Sequence, residues 1–125
     1  MMIRTEKDKT VNFRKKYLVP GETGKGYGFY SMMYESRGVN KGMIGGLIRS
    51  MLYEDYLHTR YWKLVSLQVK HDAGWKCERC GGKWGLVVHH RDYRLLGYDM
   101  FHLDSLQCLC RECHEKLHGI RQVSK

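Results

Sequence analysis

Two cysteine pairs constrain this chain more than any other feature of it. Cys77-x2-Cys80 and Cys110-x2-Cys113 share one spacing, with residues 81–109 between them. A two-residue gap lets both sulfurs of a pair face one ion, so the two pairs together predict a tetrahedral structural zinc. Such a clamp has a reason to exist here: the chain has 125 residues, 28% of them charged, and can build only a small core. Small cores are commonly stapled. Four thiolates alone would also suit an iron site of the rubredoxin kind, but the histidines clustered beside them argue for a different architecture. The fifth cysteine, Cys108, stands too close to Cys110 to join the pair, and its strand alternation predicts burial as a small apolar residue. An odd number of cysteines fits metal-holding thiolates in a reducing compartment better than a secreted disulfide framework.

Charge narrows the partners. The net charge is +9, from 22 Lys and Arg against 13 Asp and Glu, and the excess sits in residues 1–20 and 61–125. A basic surface of this size favours phosphate-rich partners. The opening "MMIRTEKDKT" has no apolar signal region, and no later run approaches the ~18 apolar residues of a membrane span. The expectation is a cytoplasmic, soluble protein with no membrane partner.

Residues 1–19 are polar and lack periodicity, and residues 20–46 hold eight of the fourteen glycines and the only proline, which predicts irregular structure. "GETGKG" misses the P-loop spacing and follows no apolar strand. From Met43 to Asp72, Leu47, Ile48, Met51, Leu52, Tyr61, Trp62, Val65 and Val69 recur at helical steps, predicting one or two amphipathic helices broken near His58-Thr59 and ended by Gly74. Beyond it, "CERCGG" reads as a tight turn, "GLVVHH" and "SLQCL" as short strands, "RDYRLLGYDMFHL" as the loop between them, and "CRECHEKLHGI" as a closing helix capped at Gly119.

"CRECHEKLH" poses a question of its own, because it holds two cysteines and two histidines. With Cys113 at zero on a helical wheel, Cys110 lies at roughly 60°, His114 at roughly 100° and His118 at roughly 140°. The two pairs therefore occupy adjoining faces, and the stretch serves two sites. His114 and His118 are left as a platform, and His89-His90, at the end of the first strand, supplies what could face it. Strand neighbours point to opposite sides, so the strand must bend or end there for both rings to reach one cleft. Four imidazoles would then converge, three for a divalent cation and one to move protons.

Residues 56–119 resemble the HNH endonucleases with a four-cysteine zinc site. The cysteine pairs, the double histidine, the "LxCLCxxCHxxxH" ending and the entry tryptophan fall in the family's order. The resemblance implies a zinc-stapled ββα-metal (treble-clef-like) module, so with the helices and arm read above the chain is expected to be α+β, the module preceded by one or two helices and an irregular N-terminal arm. The corresponding boundaries are 1–42 for the basic, glycine-rich arm, 43–73 for the helical lead-in and 74–121 for the nuclease module. It further implies structural Zn²⁺ on Cys77, Cys80, Cys110 and Cys113, His90 as general base, and one catalytic divalent ion, Mg²⁺, Mn²⁺, Ni²⁺ or Zn²⁺, on His89, His114 and His118. The family's asparagine position holds Ser105, with Asp104 beside it, and serine offers fewer hydrogen-bonding groups.

The implied function is metal-dependent hydrolysis of DNA phosphodiester bonds, duplex DNA foremost, with no small-molecule cofactor. Arg91, Arg94, Arg111 and Lys116 flank the cleft in sequence as candidate phosphate contacts, joined by Arg14, Lys15 and Lys16 of the arm. Small free-standing members of the family suggest a phage or mobile-element product. The alternative is a catalytically inactive zinc module that binds nucleic acid.

Overall fold

The computed structural model describes residues 6–24 and 26–117 of the chain. It is a mixed α+β fold in which helices lead into a two-stranded sheet and a closing helix.

The expected irregular arm is corrected first. Residues Glu6–Tyr17 form helix α1, Phe29–Glu35 form α2 and Lys41–Arg49 form α3. In α1 the buried side chains Thr10, Phe13 and Tyr17 recur at helical steps, while the positions between them, Val11 apart, are charged or polar. Only two of the three are apolar, so the stripe is faint in sequence. Its helix is stabilised by docking more than by propensity, with the Phe13 ring 6.5 Å from that of Tyr61. Glycine density pointed to a loop over 20–46, yet α3 contains Gly42, Gly45 and Gly46. Asn40 caps that helix by accepting a hydrogen bond from the Met43 N–H at 3.1 Å, and Ile44 and Ile48 are buried.

Helix α4 spans Tyr53–Leu57 and α5 spans Arg60–Asp72. The break at His58-Thr59 is where the sequence places it, because the Thr59 hydroxyl accepts the Trp62 N–H at 3.1 Å and caps α5. Helix α5 buries Tyr61, Trp62, Leu64, Val65 and Val69, and it ends just before Gly74, whose φ is +70°. Leu52, expected in the packing stripe, is instead 73% exposed. No helix among the described residues is long and apolar enough to cross a membrane.

Strands β1 (Leu86–His90) and β2 (Leu106–Cys110) pair antiparallel, from Leu86 opposite Cys110 to His90 opposite Leu106. Helix α6 (Arg111–Leu117) follows β2 directly. Leu106 and Cys108 enter the same core as the helices, whereas Leu109, Cys110 and Cys113 form a second cluster with Cys77. The first cluster belongs to the whole chain. The second is mostly sulfur.

Candidate functional site

The turn bearing Cys77 and Cys80 is locked onto β2 by Glu78. Its N–H donates to the Cys108 carbonyl at 2.9 Å, and its carboxylate accepts the Cys108 N–H at 2.7 Å. This registers the first cysteine pair against the second. The Sγ atoms of Cys77, Cys80, Cys110 and Cys113 all lie within 4.8 Å of one another, and those of Cys80 and Cys110 are 3.7 Å apart. A tetrahedral zinc with bonds of about 2.3 Å needs sulfurs about 3.8 Å apart. The cluster fits a structural metal ion such as zinc.

Backbone N–H groups support the sulfurs. Arg79 and Cys80 donate to Cys77 Sγ, Gly82 to Cys80 Sγ and Cys113 to Cys110 Sγ, at 3.3 to 3.5 Å. Burial raises the pKa of the Cys77 thiol, but hydrogen bonds from the Cys80, Cys110 and Arg79 backbone outweigh it and bring the thiol down to about 6. Hydrogen bonding to the Cys110 sulfur, followed by burial, pushes Cys113 up to about 12. Protein atoms alone thus push the Cys77 and Cys113 thiols in opposite directions. A bound divalent cation would draw the protons off all four sulfurs. Cys108 is fully buried in the main core, where burial raises its thiol pKa, and it takes no part in the cluster.

The histidines lie on the hairpin and α6. The rings of His89 and His114 are 5.3 Å apart, close enough for one nitrogen of each to share an ion. Among the described residues no third histidine, cysteine or carboxylate joins them in a ligand group. His118, the expected third ligand, lies outside the described residues, as does the cap expected at Gly119.

Of the two expectations for β1, a bend or an end at the histidines, it is an end: the strand runs unbent to His90. The strand stays paired through His90, so the two histidines part in the usual alternation. His89 meets His114, whereas His90 is 2% exposed and stacks on Trp62 at 4.7 Å and on Tyr93 at 5.3 Å. His89, His90 and His114 nevertheless line one cavity of about 520 Å³, together with Tyr53, Trp62 and Lys70.

The partner of His90 is a residue the sequence reading missed. Asp99 is fully buried, and its Oδ1 lies 3.0 Å from His90 Nε2. The angle is outside hydrogen-bond geometry, and neither atom has another hydrogen-bond partner. The two buried atoms have no competitor and face one another at ion-pair distance. Asp99 Oδ2 accepts from the Tyr56 hydroxyl at 2.6 Å and from the Gly97 N–H at 3.2 Å. Burial and the Asp99 carboxylate push the Tyr56 phenol pKa far up, which keeps it a donor. The available signal was one carboxylate inside the apolar, aromatic "GYDMF".

Ser105 does not reach His90 by hydrogen bonding. Its hydroxyl donates to the His102 carbonyl at 2.7 Å, while its own carbonyl accepts the Arg91 N–H at 2.8 Å and ties down the end of β1. Asp104 is exposed. Of the expected phosphate contacts, Arg91 pairs with Glu78 at 3.5 Å, Arg94 with Asp92 at 3.0 Å and Lys116 with Glu112 at 3.5 Å. Arg111 is exposed. These pairs sit at the surface, where exchange for a phosphate costs little.

In comparisons with known proteins, no family model, no curated protein and no solved structure matches the chain.

Proposed function

We propose that the chain is a metal-dependent DNA endonuclease of the HNH kind, with a structural zinc on its four cysteines. The observation that carries the reading is the His89–His114 pair, 5.3 Å apart, in one cavity with His90 and beside the sulfur cluster. A purely structural zinc module has no use for this second arrangement.

In this mechanism Asp99 holds the proton of His90 on Nε2, which leaves the Nδ1 lone pair to accept a proton from the attacking water. The stacked rings of Trp62 and Tyr93 fix the plane of the imidazole during that transfer. Attack forms the new P–O bond and breaks the bond to the 3′ oxygen, which leaves and is protonated by solvent. A divalent ion on His89, His114 and His118, when bound, supplies Lewis acidity to the phosphate and the departing oxygen. Arg91, Arg94, Arg111 and Lys116 would grip the flanking phosphates. Asp99 is a positioning residue, taking over the orienting task for which Ser105 is poorly equipped.

The burial of His90 favours a second reading, an inactive zinc module that binds nucleic acid, because a ring 2% exposed gives water little access. Plasmid nicking by the zinc-loaded protein with added Mg²⁺, Mn²⁺, Ni²⁺ or Zn²⁺ separates the two. Activity that disappears in His90→Ala, with zinc content and fold unchanged, is the expected result; no nicking with any of the four ions would overturn the nuclease reading.

A further inference from the structure

The segment that carries the first cysteine pair and runs on toward β1 has features that neither the zinc cluster nor the histidine cleft uses. Trp84 is 89% exposed, the most exposed large apolar side chain among the described residues. Lys76, Arg79 and Lys83 are exposed beside it in the chain. None of the three is paired with a carboxylate among the described residues, in contrast to Arg91, Arg94 and Lys116. The one carboxylate of this loop, Glu78, is occupied by the Cys108 N–H and by Arg91. The surface is also continuous with the candidate phosphate contacts, because a Cβ at Gly85 would lie 3.6 Å from the Arg111 Cβ.

We propose that this zinc-anchored loop, Lys76 to Trp84, binds a nucleic-acid strand containing an unstacked base, with Trp84 stacking on the base and Lys76, Arg79 and Lys83 on the flanking phosphates. A fully exposed indole costs free energy in water, and a base with a free face is the partner its shape fits. Charge complementarity selects a polyanion. Three cations to one apolar side chain also fit a strand better than a bilayer, whose interfacial anchors bury a broad apolar face. The fold of the loop supplies the rigidity: the cysteine cluster fixes one side and β1 the other. The proposal deepens the endonuclease reading by naming the substrate form, single-stranded or locally unpaired DNA.

The test measures binding without cleavage. Zinc-loaded His90→Ala protein, with no other divalent ion added, is titrated into a labelled oligothymidine strand and into a duplex of equal length. Adding Trp84→Ala should weaken the single strand about five- to 140-fold and the duplex less than about twofold, and Trp84→Tyr should recover most of the loss. Replacing Lys76, Arg79 and Lys83 with Ala should reduce the salt slope for the single strand by about 2. Metal analysis and the thermal midpoint establish that each variant keeps its zinc and its fold. Equal losses on strand and duplex, or no loss on either, would overturn the proposal. So would an indole emission shift on phosphatidylserine vesicles that the oligonucleotide does not produce. Because the protein used cannot cleave, absence of nuclease activity in the parent chain would leave this result standing.

Discussion

Replacing Asp99 with Asn tests the orientation of the proposed base. The change conserves volume, so no cavity forms. Both remaining donors, the Tyr56 hydroxyl and the Gly97 N–H, converge on Oδ2. The amide oxygen must therefore occupy that place, and the amide NH2 falls where Oδ1 now faces His90 Nε2 at 3.0 Å. An N–H donor there forces Nε2 to accept and moves the imidazole proton to Nδ1, which removes the lone pair meant for water. Inverting an imidazole tautomer in this way costs a hydrolase on the order of 10⁴-fold in turnover. Stability falls much less. Three charge-assisted contacts, from Tyr56, Gly97 and His90, become neutral ones, at about 1 kcal/mol each, so urea unfolding should report a loss of about 3 kcal/mol. The assay is single-turnover nicking of supercoiled plasmid, with His90→Ala as reference. If Asp99→Asn nicks at the parent rate while His90→Ala is dead, the proton is not accepted at Nδ1 and the orientation argument fails.

Removing the metal should loosen the cysteine turn and α6 from the rest of the chain. A clamp that ties Cys80 to Cys110, 30 positions apart, restricts the unfolded chain by about 3–4 kcal/mol in loop-closure terms, and thermal unfolding with and without a chelator reads that loss. Hydrogen exchange should show the amides of residues 77–82 and of α6 losing protection while those of α1 and α5 keep it, since the sulfur cluster has little apolar surface of its own whereas β2 places Leu106 and Cys108 in the main core; unchanged protection of α6 would count against the clamp. Glu35 accepts from Lys16 at 2.8 Å and from the Tyr17 hydroxyl at 2.6 Å. Burial opposes its ionisation, but these partners lower its pKa below the ordinary 4.5. A lowered folded-state pKa contributes stability that is present above the unfolded value and lost as pH falls through the folded one. The advantage of the parent chain over Glu35→Gln should therefore be under about 1 kcal/mol at neutral pH, given a side chain 38% exposed, and should vanish on acidification; an advantage that grows below pH 4.5 would contradict the sign.

How far the chain could be read from its residues depended on whether the signal was local. The cysteine spacing, the break at His58-Thr59 and the short strand in "GLVVHH" are fixed by neighbours a few residues apart, and each lies where the sequence places it. Helices α1 and α3 are different. Phe13 and Tyr17 form too narrow a stripe to register, and three glycines in α3 argue locally against a helix that only its packing explains. Asp99 was invisible for the same reason: a lone carboxylate in a loop has no periodicity, and its partners Tyr56 and His90 are distant in sequence.

Those two failures have one physical origin. The loop carrying Asp99 rests on α3, where a side chain at Gly45 would meet the Tyr98 ring at 2.5 Å and one at Gly97 would meet the Gly45 carbonyl at 2.9 Å. Gly97 also has a φ of +97°, a left-handed conformation that glycine adopts without strain. Arg49, at the end of the same helix, donates to the carbonyls of Leu96, at 2.9 Å, and Arg94. From α4, Tyr56 then fixes the carboxylate itself. Gly45, which looked like loop punctuation, is thus the close-approach residue that lets a helix hold the loop, and through it Asp99, against His90. On this argument the N-terminal helices are not an appendage to the hairpin and closing helix. They set the orientation of the ring on which the proposed chemistry turns.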